Sequence, residues 1–203
     1  MKLYYRPGAC SQAVHIALQW SGLPYEAEQA ERGGAFLSIN PNNQVPVLVE
    51  NGQVLTQGPA LLKYIAAKAP TAKIGSDGTP EGAYEIDRWL NFLGGDLHPT
   101  FWGAFAAPRL TTATDEAAHN AIKAAASAKV EALMDKIDGH LKDRTYVVGD
   151  HKTVVDALLF AISGWLGAAN LSLDSFPNIK RHNETLKADA DVQEVLAKEF
   201  QAA

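Results

Sequence analysis

Between Pro70 and Pro80 the chain changes character, and that change limits what it can fold into. The segment Pro70-Thr71-Ala72-Lys73-Ile74-Gly75-Ser76-Asp77-Gly78-Thr79-Pro80 is a linker by composition, since Pro and Gly punctuate structure more strongly than any other residues. Ahead of it, short apolar runs of strand length alternate with helical patterns. Behind it, Ala, Leu, Lys and Glu dominate and strand signals vanish. The expected fold class is therefore α+β: a mixed region over 1–70, a linker over 71–80, and an all-helical region over 81–203.

The first region reads as follows. Lys2-Leu3-Tyr4-Tyr5 is a first strand, broken by Arg6-Pro7-Gly8-Ala9. Ala13, Ile16, Ala17 and Trp20 set a helical period over about 11–22, which Gly22 and Pro24 stop. A second strand near Tyr25–Ala30 is weakly signalled. Glu31 to Asn43 is irregular. Two apolar runs, Pro46–Val49 and Gln53–Leu55, flank Glu50-Asn51-Gly52, and Asn-Gly between such runs predicts a hairpin. A helix starts near Gly58-Pro59, with Pro suited to a first turn, and ends before Pro70. In the second region the pattern predicts helices over Glu81–Trp102, Thr114–Leu141, Thr153–Ala169, Pro177–Ala188 and Asp191–Phe200.

Cys10 is the single cysteine in 203 residues, so no internal disulfide can form. It falls at the strand-to-helix turn, beside free N–H groups and the positive end of a helix macrodipole. That setting favours a thiolate; a small buried core residue is the plainer alternative. The net charge of −5 gives no electrostatic case for nucleic acid. No apolar run is long enough to span a membrane, and no signal-peptide pattern opens the chain. Nor is there a His/Cys/Asp/Glu cluster at metal-binding spacing or a phosphate-binding glycine loop. The expected compartment is the cytoplasm.

Asn40-Pro41-Asn42-Asn43-Gln44-Val45-Pro46-Val47-Leu48, then Asn51-Gly52 and Val54-Leu55-Thr56-Gln57-Gly58-Pro59-Ala60-Leu61, resemble the glutathione transferases. A lone Cys10 inside Pro-Gly-Ala-Cys-Ser is similar to their bacterial beta class. The resemblance covers essentially the whole chain, more specifically in its first half. It implies a thioredoxin-like domain followed by a helical domain, glutathione as co-substrate, no metal, and a homodimer. It implies a cis bond before Pro46, so that Val45 offers its backbone to the glutathione cysteinyl unit. It also implies that Gln57 and Gly58 hold the γ-glutamyl end, where the N-terminus of a helix favours a carboxylate. A simple helix start capped by Thr56 is the alternative at that point.

In the helical region the resemblance points to Asn91 and His98, within Trp-Leu-Asn-Phe and Asp-Leu-His. With Trp102 they stand at i, i+7 and i+11, one face of a continuous helix. His98 can donate to a thiolate or act as an acid–base group. Pro99 replaces a cation common in relatives and is expected to bend the helix. Phe101, Trp102 and Phe105 offer an apolar wall for a co-substrate, or else core packing. Tyr5 and Ser11 stand where other classes place their thiol activators and are the runner-up residues to Cys10. Thr153 and Asp156 read as a capping box that serves folding, with Lys152 where an apolar staple is usual. The expected activity is conjugation of glutathione to apolar electrophiles in a detoxifying role, with thiol–disulfide exchange through Cys10. The alternatives are a glutathione-dependent reductase, dehalogenase or ether-cleaving enzyme, and a non-catalytic binder of apolar ligands.

Overall fold

A computed structural model describes residues 1–200; Gln201, Ala202 and Ala203, the end of the expected helical region, lie outside the described residues. Four strands form one mixed sheet: β1 (Lys2–Tyr5), β2 (Glu26–Gln29), β3 (Val47–Glu50) and β4 (Gln53–Thr56), in the order β2-β1-β3-β4. β1 runs parallel to β2 and antiparallel to β3, and β3 pairs antiparallel with β4. The parallel pair needs a crossover, supplied by α1 (Ser11–Ser21), which ends on Gly22 at φ 65°. The β3–β4 hairpin closes through Asn51 and Gly52 at φ 51° and 78°, the twin positive values a two-residue hairpin turn requires.

Alternation along the strands divides the burial. Leu3, Tyr5 and Leu48 face the main core with α1 and α3 (Gly58–Lys68), while Tyr4 and Val47 face a small cluster closed by Phe36 of the one-turn α2 (Phe36–Ile39). A 3₁₀ turn at Pro70–Ala72 follows α3.

The second half is helical: α4 (Pro80–Asn91), α5 (His98–Ala106), α6 (Glu116–His140), α7 (Val154–Ser163), α8 (Pro177–Lys187) and α9 (Ala190–Phe200). All ten residues of α7 are buried. At about 1.5–3 kcal/mol for each large apolar side chain buried, α7 is the centre of cohesion for both halves. It packs against α1 as well as α4 and α8. The helix expected over Thr153–Ala169 stops earlier, at Ser163, and resumes as a 3₁₀ turn at Leu166–Ala169. Gly103 lets α5 lie against α6, since a Cβ there would come within 2.4 Å of Ala126 Cβ.

The expected single helix over Glu81–Trp102 is interrupted. Residues Phe92–Leu97 form a π-helical stretch between α4 and α5. Pro99 has no N–H to give and its ring crowds the carbonyl four residues back; a wider turn accommodates both. π-segments recur at functional sites, and this one approaches the start of α3. A Cβ on Gly94 would stand 2.6 Å from Pro59 Cγ.

The Thr153–Asp156 box forms. Asp156 Oδ2 accepts from the Thr153 N–H at 2.8 Å and from its hydroxyl at 2.9 Å, while Thr153 Oγ1 accepts from the Val155 N–H at 3.3 Å. Asp156 Oδ1 also takes the Val147 N–H and His182 Nε2, each at 2.8 Å. In place of an apolar staple, Lys152 lies over the Trp20 ring at 4.9 Å and pairs with Asp189 at 2.5 Å.

Candidate functional site

Three segments from the N-terminal half converge. The turn after β1 carries Cys10 at the start of α1. The turn before β3 carries Val45, and its bond to Pro46 is cis, as the resemblance implied. The start of α3 carries Gln57 and Gly58. Cys10 Sγ donates to the Val45 carbonyl at 3.6 Å, and a Cβ on Gly58 would stand 3.9 Å from Pro46 Cγ. Val45's N–H makes no backbone hydrogen bond among the described residues.

The start of α3 corrects one expectation. Thr56 is the last residue of β4, and Gln57 itself holds the N-cap, with no side-chain cap bond. Gln57 sits at φ 74°, ψ 104° and is exposed. A left-handed φ is unusual for a residue with a Cβ and costs on the order of 1–3 kcal/mol. Such strain gathers where a ligand is clamped. The backbone N–H groups of Gly58 and Ala60 are left without partners among the described residues, ready to meet an anion.

Cys10 departs from expectation in its ionisation. Burial pushes its thiol up to about 11, although the N–H groups of Cys10 and Ser11 pull the other way. The sulfur is tucked under Val45, where desolvation of a thiolate outweighs the helix terminus. Near pH 7 Cys10 is therefore a neutral thiol and a hydrogen-bond donor.

The runner-up activators are both committed elsewhere. Ser11 is fully buried; its hydroxyl accepts from the Arg6 N–H at 3.1 Å and donates to the Arg6 carbonyl at 3.2 Å. Tyr5 packs into the core with its ring 5.1 Å from that of His15. Arg6 fixes the irregular stretch after β2. Its guanidinium donates to the carbonyls of Ala30, Glu31 and Asn43 and to Asn43 Oδ1, and lies over the Phe36 ring.

From the helical half, His98 begins α5 with its ring 5.1 Å from that of Trp165. Burial lowers its pKa below the usual histidine value, so the imidazole is neutral near pH 7. It makes no hydrogen bond to Cys10, whose sulfur is turned to the Val45 carbonyl. Asn91 does not share its face: the π-stretch shifts the helical phase, and Asn91 Nδ2 donates back to the Asp87 carbonyl at 2.8 Å. Asn91 instead borders a shallow depression with Tyr84, Arg88 and Asp96. Of the residues expected to form an apolar wall, Phe101 is fully buried, whereas Trp102 and Phe105 are exposed. Sequence reasoning missed Trp165, whose ring meets those of Phe101 and Phe105 at 5.6 and 5.7 Å. Nothing in its own neighbourhood signals that role.

A second network was also invisible. Glu199, fully buried near the end of α9, accepts from Gln12 Nε2 at 3.2 Å and pairs with His15 Nδ1 at 2.9 Å. It ties the last helix to α1, the helix that begins at Cys10. Among the described residues no group of His, Cys, Asp and Glu could hold a metal ion, and no helix is long and apolar enough to cross a membrane.

These features match known proteins along the whole chain. The pattern described as "Glutathione S-transferase, N-terminal domain" covers residues 3–73, and "Glutathione S-transferase, C-terminal domain" covers 101–189. Glutathione S-transferase GST-4.5 of Xanthomonas campestris pv. campestris is 38% identical, over 98% of this chain and 98% of its own. A glutathione S-transferase from Xylella fastidiosa superposes with a TM-score of 0.89 at 32% identity, covering 98% of each chain. A sphingomonad glutathione S-transferase complexed with glutathione gives 0.86 at 31% identity, again over 98% of each. The chain belongs to the glutathione S-transferase family, and its structural neighbours include a bacterial beta-class member at 33% identity and a TM-score of 0.85. It is a glutathione-conjugating transferase.

Proposed function

We propose that the cleft binds glutathione between Cys10, Val45, Gln57 and Gly58, and joins its sulfur to apolar, electrophilic small molecules seated against Trp102, Phe105 and Trp165. The observation that carries this is the convergence of Cys10 Sγ and the Val45 carbonyl at 3.6 Å, beside a strained, uncapped helix start. Val45 would pair with the cysteinyl backbone as an added strand does. Gln57 and the Gly58 N–H would take the γ-glutamyl carboxylate. Cys10, a neutral thiol, would turn from the Val45 carbonyl to donate to the glutathione sulfur, stabilising the thiolate that attacks the electrophile. His98 would add a second neutral donor. The bond formed is carbon–sulfur, and the leaving group departs with the electron pair it shared with the attacked carbon.

Thiol–disulfide exchange is the second reading, supported by the same sulfur lying in the cleft. Cys10, once ionised, would attack the S–S bond of oxidised glutathione, forming a mixed disulfide and releasing one glutathione thiolate. Its raised pKa makes that path slow near neutral pH. The role this reading implies is detoxification of electrophiles in a bacterial cytoplasm, in keeping with the bacterial sources of the relatives named above. Exposed Val54, Tyr64 and Tyr84, on β4, α3 and α4, offer apolar surface for a second copy of the chain, in keeping with a homodimer. Parallel assays with an aryl halide and with a glutathione-accepting disulfide test the reading. Aryl-halide turnover that needs glutathione supports it. Binding of apolar ligands with neither turnover would leave a non-catalytic binder.

A further inference from the structure

Gly8 stands two residues ahead of Cys10, at φ 68°, in a turn closed by the Ala9 N–H donating to the Arg6 carbonyl at 3.1 Å. The Gly8 carbonyl accepts from Trp165 Nε1 at 2.7 Å, across 157 residues of sequence. Phe200 also approaches it, its Cζ 3.8 Å from where a Gly8 Cβ would sit. Two aromatic residues of the helical half therefore bear on the turn that leads into Cys10. Trp165 is itself held from behind. Phe101, fully buried, meets it edge-on, and the rings of His98 and Phe105 flank it. The indole is only half-buried.

We propose that Trp165 is a positioning residue: its N–H fixes the Gly8 turn that aims Cys10, and its ring makes that turn sense what occupies the aromatic wall. The proposal rests on reading the cleft as the conjugation site. The physical argument is that one rigid, planar side chain serves two neighbours. An aromatic co-substrate stacking on the wall tilts or seats the indole. Hydrogen bonds weaken steeply with angle, so the Gly8 contact tightens or loosens with that tilt. An aliphatic residue in this place could line the wall but could not hold the turn. A phenylalanine could keep the ring and lose the N–H.

That last difference gives the test. In Trp165→Phe, Cys10 should react with iodoacetamide about fivefold faster, because the turn that leads into Cys10 is released. In the same variant kcat for an aryl halide should fall roughly tenfold while KM for it stays within about twofold, the mark of lost positioning rather than lost binding. Trp165→His, which keeps a ring N–H, should label at the wild-type rate. A lowered melting temperature with wild-type labelling and wild-type kcat in Trp165→Phe would assign the residue to packing alone and overturn the proposal. If Trp165→Phe does not fold, faster labelling in Trp165→His overturns it instead. The labelling needs no turnover. If the wild type fails to turn over the aryl halide, the functional reading fails, and the labelling still decides this one.

Discussion

The helices of this protein begin in two ways. At five helices the first N–H groups are capped by side chains: Thr79 at α4, Asp115 at α6, Thr153 at α7, Asp138 reaching across to α8, and Asp189 at α9. Cys10 before α1 and Gln57 before α3, the two helix starts at the proposed glutathione site, carry no side-chain cap bond; nor do the one-turn α2 and α5, which runs on directly from the π-stretch. Exposed donors at a helix terminus are a cost unless something satisfies them. The chain satisfies them with side-chain oxygens at those five helices and leaves the Gly58 and Ala60 N–H groups of α3 open where the glutathione site is proposed; at α1 the Gln12 N–H is taken by the Ala9 carbonyl at 3.0 Å. The strain at Gln57 belongs to the same pattern.

The largest way to break this contrast is at Asp156. Its carboxylate serves Thr153, Val147 and His182 at once. Removing one partner of a buried, charge-bearing network costs about 3–5 kcal/mol. Asp156→Ala should therefore lower the denaturation midpoint sharply and cut refolding yield, while the folded fraction binds glutathione with wild-type affinity. Lost affinity in folded protein would mean that the capped helices also shape the site.

Next comes the pH response of Cys10. Its thiol ionises at about 11 against an ordinary 9.0, so near pH 7 about a hundredfold less thiolate is present than in a free thiol. Alkylation of the free protein should keep rising with pH through 9 and level only towards 11. The sign for stability follows. Folding favours the protonated thiol, so this contribution is full below 9 and is lost as pH rises to about 11. A plateau near pH 7 would restore the reactive thiolate first expected from the helix terminus.

Gln57→Ala should weaken glutathione binding about tenfold, as loss of hydrogen bonds to a charged group does, with the melting temperature nearly unchanged. Alanine keeps the same backbone strain and no cap is removed. Smallest is Thr153→Ala, the mirror experiment, which should cost about 1 kcal/mol of stability and no glutathione affinity. If these two variants exchange their effects, the contrast between open and capped helix starts is wrong.

What the sequence revealed, and what it hid, divides by distance along the chain. The Asn51-Gly52 hairpin, the stop at Gly22 and the Thr153–Asp156 box are local, each written within a few residues whose backbone preferences act alone. The cis Val45–Pro46 bond was legible only through the family motif. Hidden were the contacts that the fold itself makes: Trp165 with Gly8, Glu199 with Gln12 and His15, and Arg6 with Asn43. The π-stretch at Phe92–Leu97 falls between. Pro99 announced a disturbance, but not that an overwide turn would separate Asn91 from His98. Cys10 teaches the same lesson, for a helix terminus is readable in sequence and the desolvation that overrides it is not.

The contrast itself can be tested in one titration. Glutathione added to ¹⁵N-labelled protein should shift the backbone amides of Ser11, Val45 and Gly58 together, along a single binding curve. The amides of Gly82, Ala118 and Val155, already capped by Thr79, Asp115 and Thr153, should stay in place. Shifts at the capped amides, or silence at Val45 and Gly58 while glutathione binds, would contradict the account.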